Sequence, residues 1–203
     1  MEDEDMKYLD DFSNTIYKTM SARFTAFRRM KRNRDASRVA ETMLSASIIA
    51  ISLIALLNKD AVLTEKISIF TIILSTFLLV FSQLFNSLNY NKRMENYHDC
   101  GNKLNYLYRQ IYRDMNYYSE EELKDKYQDY LNLYEQILRE FNLNHSLFDY
   151  QYSEAMMQDS DVQQFNRLWL GIRYYIFDIY MFYWLLAIVP ALGVFFWFIA
   201  NLS

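Results

Sequence analysis

Two long uncharged apolar runs, joined by a short polar turn, constrain this chain more than any other feature. They are Thr42 to Leu57 and Ile67 to Leu88, with the turn Asn58 to Lys66 between them. As a helix of about 22 residues the second run is roughly 33 Å long, enough to cross a hydrocarbon core of about 30 Å. Two preceding apolar residues extend the first run beyond Glu41, a carboxylate that is tolerated at headgroup level. The pattern predicts a transmembrane hairpin over residues 39–88 rather than a pair of buried core helices.

A third uncharged run, Ile179 to Leu202, is also long enough to span a bilayer. Aromatic residues at its entrance are typical of a membrane interface, and Pro190 predicts a kink within it. The alternative is a re-entrant or surface-lying segment. One proline and three glycines in 203 residues leave little material for turns or sheet edges, so the rest of the chain is predicted to be helical. The expected fold class is therefore an all-α integral membrane protein with a C-terminal third span at residues 179–203.

The N-terminal residues 1–38 change sign in charge. Residues 1–12 are acidic and are expected to fray. The following residues are strongly basic and carry only one acid, Asp35; their cations are Lys18, Arg23, Arg28, Arg29, Lys31, Arg32, Arg34 and Arg38. Cationic flanks remain cytoplasmic, whereas the turn at 58–66 is balanced in charge. We expect a cytoplasmic N-terminus, an external turn, an external C-terminus, and an arm, Arg23 to Arg38, that binds anionic lipid and sets topology.

This basic arm also has an apolar face, whose residues recur at three- and four-residue steps: Phe12, Ile16, Met20, Phe24 or Phe27, and Met30. The face is expected to lie on the membrane or on neighbouring helices. Nucleic-acid binding by the arginines is disfavoured, because no base-stacking module accompanies them.

Both predicted spans carry a polar stripe. Small polar residues recur at three-, four- and seven-residue steps, which places them along one helix face: Ser68, Thr71, Ser75, Ser82, Asn86 and Asn89 in the second span, with Ser45 and Ser52 repeating the pattern in the first. Such a stripe is either a helix-packing seam or the lining of a water-filled pore. The two readings are compatible if the stripe faces the axis of a homo-oligomer.

The polar residues 89–178 are predicted to form a cytosolic helical region. An apolar stripe from Leu104 to Met115 marks one helix, which is expected to continue directly from the second span. Ser119 followed by Glu122 is a capping box that starts the next helix, expected to end near Phe141. The two helices are predicted to form an antiparallel hairpin.

Helical periodicity is lost after residue 141, where Asn144, His145, Asp149 and Tyr150 are expected to form a structural or partner-contact turn. A histidine and an aspartate four residues apart could act as a general base with its orienting group, but no nucleophile with recognisable context accompanies them. Cys100 does not combine with the two histidines into a metal-ligand spacing. We expect neither enzymatic activity, nor a metal, nor any other cofactor.

The chain resembles the SLATT family, the SMODS- and SLOG-associating two-transmembrane effectors of bacteria. The resemblance lies in the basic helix with Ala22-Arg23-Phe24 and Ala26-Phe27-Arg28-Arg29, in the short membrane hairpin, in the helical tail, and in the paired Asn144-His145 and Asp149-Tyr150 turn. The turn is similar to that of the subgroup found beside reverse transcriptases. A third span exceeds the two in the family's name.

The resemblance implies a role in anti-phage conflict systems. A partner that senses infection, either a reverse transcriptase or a nucleotide-signalling protein, would trigger the effector to permeabilise the bacterial inner membrane. The alternative is a membrane-anchored scaffold or sensor without pore activity. The expected partners are the lipid bilayer and further copies of the chain, with no direct binding of nucleic acid.

Overall fold

The computed structural model describes residues 2–143, 147–157 and 164–175, and all of its described secondary structure is helical. Six helices follow one another along the chain: α1 (Glu2–Leu57), α2 (Ala61–Ser87), α3 (Tyr90–Asp114), α4 (Glu120–Phe141), α5 (Leu147–Met157) and α6 (Gln164–Tyr175). The predicted all-α fold class is confirmed. The third hydrophobic segment, residues 179–203, lies outside the described residues, so the third span stays a prediction.

Packing divides the chain into two compact units. The helical unit comprises Met1–Lys31 and Asn91–Gly171, and the hairpin unit comprises Arg32–Tyr90 with the described residues from Ile172 onward. The N-terminal part of α1, up to Lys31, therefore belongs to the same compact unit as α3 and α4.

The long helix α1 begins at Glu2 and contains neither glycine nor proline. Its acidic start was expected to fray, whereas the structure describes helix from Glu2 onward. Leu9 and Phe12, later in this acidic stretch, are buried in the core of the helical unit. The predicted end of the first span at Leu57 is confirmed.

The apolar face of the N-terminal half of α1 packs on α3 and α4 rather than on a membrane. The core of the helical unit collects side chains from all three helices: Leu9, Phe12, Ile16 and Met20 from α1; Cys100, Leu104, Leu107 and Ile111 from α3; Leu123, Tyr130 and Ile137 from α4. Phe12 meets the rings of Tyr127 and Tyr134 edge to face, with centroids 5.5 and 5.6 Å apart. The hydroxyls of Thr19 and Tyr134 are 3.1 Å apart, which adds a polar contact between α1 and α4.

A glycine sets the closeness of α1 and α3. A Cβ atom placed on Gly101 would lie 2.9 Å from Cε1 of Phe24, nearer than such atoms normally approach. The absent side chain at Gly101 thus makes room for the Phe24 ring. This position needs glycine for space, not for backbone freedom.

The turn of the membrane hairpin is shorter than the sequence suggested. Only Asn58 to Asp60 lie between α1 and α2, and Asp60 caps α2 by accepting hydrogen bonds from the backbone N–H groups of Val62 and Leu63. Residues 61–66, expected in the turn, form the first turns of α2.

The expected continuous helix from the second span into α3 is interrupted. Asn89 lies between the two helices with φ 49°, in the left-handed region that asparagine tolerates better than most residues. The helix therefore ends at Ser87 and restarts at Tyr90, and the prediction of continuity is wrong.

The α3–α4 hairpin agrees with the sequence. The capping box is present, with both Ser119 and Glu122 making their reciprocal bonds, and α4 ends at Phe141 before Asn142 in the left-handed conformation. Lys103 pairs with Glu140 at 2.6 Å, and Tyr130 donates to Asp114 at 2.7 Å. The earlier residue of α3, Lys103, thus contacts the later residue of α4, and Asp114 contacts the earlier one. The two helices are therefore antiparallel, as predicted.

Candidate functional site

The hairpin unit exposes most of α2. Of this helix's side chains only Phe81 is buried, packed with Ala40, Ala36 and Phe85. Large apolar side chains with more than half of their surface exposed surround the helix: Ile69, Phe70, Ile72, Ile73, Leu79, Val80 and Leu84. Exposed apolar surface on this scale indicates a helix that meets lipid or further protein rather than water.

The described chain contains two helical stretches that are long and apolar enough to cross a membrane, Lys7–Leu57 and Ala61–Asp114. The first stretch includes the predicted first span, and the second includes α2.

Three of the four hydroxyl residues in the polar stripe of the second span donate their hydrogen bonds within α2. Ser68, Thr71 and Ser75 each donate to the carbonyl oxygen four residues earlier, at 2.8 Å. Each hydroxyl therefore donates its hydrogen bond without a partner from another helix, while its oxygen can still accept one. Ser68, Ser75 and Asn86 are exposed, and Thr71 is half-buried.

Asn89 does not belong to this helix face. It lies beyond the end of α2 in the left-handed conformation, so its side chain is out of register with the stripe. The stripe on α2 ends at Asn86, which corrects the sequence-based set by one residue.

The two helices of the hairpin unit are also joined by a polar contact. Ser82 donates a hydrogen bond from its hydroxyl to the carboxylate of Glu41. Glu41 was expected at headgroup level, and Ser82 on the open stripe; the structure brings them together. Ser82 is consequently half-buried and engaged in packing.

On the first span, the packed face runs beside the predicted stripe. Ser52 is exposed and Ser45 half-buried, and each donates to a carbonyl four residues earlier. The buried residues are instead Ala40, Leu44, Ser47, Ile51 and Ala55. Sequence reasoning missed this seam, although steps of four, three, four and four residues between small or apolar side chains could have indicated it.

The cationic side chains of the basic arm differ in burial. Arg28, Lys31 and Arg38 are exposed, as lipid contact would require, and Arg32 and Arg34 are half-buried. Arg34 forms an ion pair with Asp35 at 2.8 Å. Arg23 and Arg29 lie inside the helical unit, so their placement does not fit the predicted headgroup role.

Arg29 forms a bidentate ion pair with Asp149. Its Nε donates to Oδ1 at 2.9 Å, and its Nη2 donates to Oδ2 at 2.8 Å. The Asp149 side chain has no exposed surface, and the Arg29 side chain is 19% exposed. The pair is bidentate and largely removed from water, a geometry that strengthens charge-assisted hydrogen bonds.

The predicted turn after α4 is in part a helix. Asp149 and Tyr150 belong to α5, which extends over Leu147–Met157. Asn144 and His145 lie outside the described residues.

Arg23 lies next to Cys100, and both are buried. Burial raises the pKa of the Cys100 thiol, and the positive charge of Arg23 and its hydrogen bond with the sulfur oppose this shift. In the part of the chain that the structure describes, the Nε and Nη1 atoms of Arg23 have no hydrogen-bond partner. The burial of Cys100 therefore favours the neutral thiol over the thiolate.

His98 is exposed on α3 and packs against the rings of Phe24 and Phe27, at centroid distances of 6.2 and 4.9 Å. Its Nδ1 lies 3.2 Å from Nδ2 of Asn102 and 3.6 Å from the carboxylate of Asp99. No group of three or more His, Cys, Asp or Glu side chains converges within the described ranges 2–143, 147–157 and 164–175.

A protein-family model matches most of the chain. The model of the SMODS and SLOG-associating 2TM effector domain family 5 (SLATT_5) matches residues 5–197. No curated protein and no solved structure matches the chain significantly. The exposed two-helix hairpin agrees with the two transmembrane segments in the family's description. The chain is therefore a membrane protein that belongs to the SMODS and SLOG-associating 2TM effector domain family 5.

Proposed function

We propose that this effector domain assembles into a homo-oligomer and permeabilises the bacterial inner membrane when a sensing partner triggers it. The observation that carries the proposal is the exposure of α2, which buries only Phe81 of its own side chains. One α2 face is apolar and suits lipid, and the stripe that includes Ser68, Ser75 and Asn86 is small and polar. Helices with one small polar face associate closely in membranes.

Such an assembly supplies what a single hairpin lacks. Two or three spans cannot enclose a conduit, but the polar stripes of several copies could surround one. No charged residue lies within the stripe, so the conduit would have no charged selectivity element. We expect permeabilisation without strong ion selectivity.

The orientation belongs to the same proposal. The exposed cations Arg28, Lys31 and Arg38 precede the first span, and Lys92 and Arg93 follow the second, whereas the turn between the spans is neutral overall. By the positive-inside rule, the helical unit lies in the cytoplasm and the turn at Asn58 to Asp60 lies outside. The helical unit would then face a cytoplasmic partner.

The proposed partner is a reverse transcriptase or a nucleotide-signalling protein, and the support for it is the family resemblance alone. We propose that the chain acts without catalysis, without a cofactor and without direct binding of nucleic acid. Support comes from the surroundings of three residues: His98 packs against aromatic rings, Cys100 is buried, and Arg29 is paired with Asp149.

The alternative function is a membrane-anchored scaffold or sensor. The Glu41–Ser82 contact favours it to the extent that part of the stripe is sealed within the hairpin. The two functions predict different effects of expression on the membrane potential of the cell.

A membrane-potential dye in expressing bacteria separates them. A pore-forming effector collapses the potential and stops growth, and Asn86→Leu should weaken both effects because it removes the bulkiest polar group of the stripe. Gln83→Leu is the matched control, since it exchanges an exposed amide for leucine off the stripe. Cells that keep their potential at full membrane expression of the parent would instead support the scaffold.

A further inference from the structure

The outer face of α3 combines tyrosine with arginine near the tip of the α3–α4 hairpin. Tyr106, Arg109 and Arg113 follow one another at steps of three and four residues, so they lie on one side of the helix. All three are exposed, and the neighbouring Tyr112 is exposed as well. Tyrosine and arginine are among the residue types that contribute most to binding at protein interfaces. The face therefore has the composition of a docking surface.

The two arginines of this face form a like-charge pair. Residues four apart on a helix are neighbours, so Arg109 and Arg113 repel each other. Among the described residues Arg109 forms no ion pair, and Arg113 is paired with the adjacent Asp114 at 3.4 Å. That carboxylate also accepts a hydrogen bond from Tyr130 at 2.7 Å. The face thus retains positive charge that a carboxylate of another molecule can neutralise.

The outer face of α4 carries a like-charge pair of the opposite sign. Glu121 and Asp125 are also four residues apart, and both are exposed. Neither forms an ion pair within the part of the chain that the structure describes. The helix dipole favours a carboxylate at Glu121, in the first turn of α4, but Asp125 lies beyond that turn. A cationic partner would relieve the repulsion between the two carboxylates.

The two charged pairs lie at the same end of the hairpin. Arg113 precedes Asp114, Asp125 precedes Lys126, and Nζ of Lys126 is 3.9 Å from the carboxylate of Asp114. Arg113 and Asp125 are therefore at nearly the same level along the hairpin, although they belong to different helices. Copies of a membrane protein that share one topology stand side by side in the same orientation. The arginines of one copy and the carboxylates of the next are then at matching heights.

We infer that the α3 face with Tyr106, Arg109 and Arg113 docks on Glu121 and Asp125 of α4 in a second copy of the chain. Each copy offers its α3 face to one neighbour and its α4 face to the other, and such heterologous contacts can close into a ring. Opposite charges give the contact its specificity. The inference rests on the proposed homo-oligomer and names the surfaces through which its helical units associate.

Cross-linking between two differently tagged copies of the full chain in membranes tests this contact. Both copies carry Cys100→Ala, so that the introduced cysteines are the only thiols. The first copy carries Tyr112→Cys beside the arginines, and the second carries Gln128→Cys on the outer face of α4, both at exposed positions. A short bismaleimide should join the two copies. This readout reports the contact between α3 and α4 itself, whatever holds the membrane spans together.

Charge reversal on one side of the contact should prevent the cross-link. Arg109→Glu/Arg113→Glu in the first copy, or Glu121→Lys/Asp125→Lys in the second copy, should lower its yield by about tenfold or more, because like charges then face each other. Lys7→Glu in the first copy is the control. It reverses an exposed cation of α1, away from both faces, and should leave the yield unchanged.

A charge swap makes the test independent of any effect on folding. When the first copy carries Arg109→Glu/Arg113→Glu and the second carries Glu121→Lys/Asp125→Lys, opposite charges face each other again, and the yield should return close to that of the parent. The single reversals Arg113→Glu and Asp125→Lys repeat the swap with a smaller change. Docking is refuted if either one-sided reversal leaves the yield unchanged, or if neither swap restores it.

Dye efflux from liposomes that contain the parent separates this inference from permeabilisation. If the parent leaks but the cross-link does not show the predicted dependence on charge, the docking surface is refuted and the proposed function stands. If the cross-link shows that dependence but the parent does not leak, permeabilisation is refuted and the docking surface stands. If the parent neither cross-links nor leaks, both are refuted.

Discussion

Arg29 and Asp149 are 120 positions apart in the sequence and form a bidentate, largely buried ion pair in the folded chain. One belongs to a basic arm that resembles a lipid-binding segment, and the other to a stretch without helical periodicity. Their pairing shows that part of the arm's charge is internal to the helical unit. Only the exposed cations of α1 remain for contact with lipid.

The packing of Gly101 against Phe24 gives a stability prediction. In Gly101→Ala the added methyl group would lie 2.9 Å from the ring, so the α1–α3 contact must shift at a cost of about 1–3 kcal/mol in the free energy of unfolding. Gly171→Ala is the control, since nothing lies within 4 Å of its added Cβ, and alanine there should be neutral or favourable. Denaturant unfolding in micelles measures both. Equal stability of the parent and Gly101→Ala would show that the contact is looser than described.

The Tyr130–Asp114 hydrogen bond anchors the α3–α4 hairpin. Both residues are buried, and Lys126 lies 3.9 Å from the same carboxylate. Tyr130→Phe leaves Asp114 with one donor fewer and should lower the free energy of unfolding by about 1–3 kcal/mol. Tyr112→Phe, at an exposed tyrosine of α3, should have little effect.

The same tyrosine gives the stability a pH dependence. Burial, and then the hydrogen bond to the negative Asp114, raise the pKa of Tyr130. The folded state therefore holds the proton more tightly than the unfolded state. The contribution is complete below the unfolded pKa of about 10 and is lost as the pH rises further. Unfolding of the parent and Tyr130→Phe, compared at pH 8 and above pH 10, should show a difference that narrows with pH; a constant difference would contradict this assignment.

The sequence predicted features that depend on near neighbours. Ser119 and Glu122 are three residues apart, and their capping box was recognisable because both partners belong to one turn. The apolar face of α1 was visible from its spacing. In contrast, the break at Asn89 was missed, although asparagine is one of the few non-glycine residues that readily adopt the left-handed conformation.

The candidate sites were less predictable for two physical reasons. In α5, two of the buried positions, Asp149 and Ser153, are polar, and a search for apolar residues at helical spacing does not detect them. The burial of Arg29 depends on a partner far away in the chain, and Ser82 leaves the open stripe because Glu41 lies opposite it. Single-helix periodicity contains no information on either contact.

The proposed orientation predicts the labelling of single cysteines in intact cells. With Cys100 replaced, a membrane-impermeant thiol reagent should modify Val62→Cys, which is exposed next to the turn, and should not modify Tyr117→Cys at the tip of the α3–α4 hairpin. Both should react after the cells are lysed, which controls for accessibility. The opposite labelling pattern in intact cells would show that the topology is the reverse of the proposed one.

Oligomerisation is predicted to depend on the stripe at Ser75. Ser75 is exposed and bonds only within its own helix, so Ser75→Leu alters the outer surface without breaking the hairpin. It should weaken or shift the cross-linked oligomer in membranes, because a bulky side chain prevents close helix approach. Thr76→Leu, at an exposed hydroxyl residue off the stripe, should leave the oligomer intact. If the oligomer is unchanged in both variants, the stripe is not part of the interface between subunits.

Dye efflux from liposomes containing the purified parent chain tests membrane permeabilisation most directly. Efflux should rise steeply with the number of chains per vesicle, as an oligomer requires, and should fall several-fold in Asn86→Leu while Gln83→Leu resembles the parent. The control is release from protein-free vesicles. If vesicles with confirmed incorporation of the parent release no more dye than this control at any protein-to-lipid ratio, permeabilisation is contradicted.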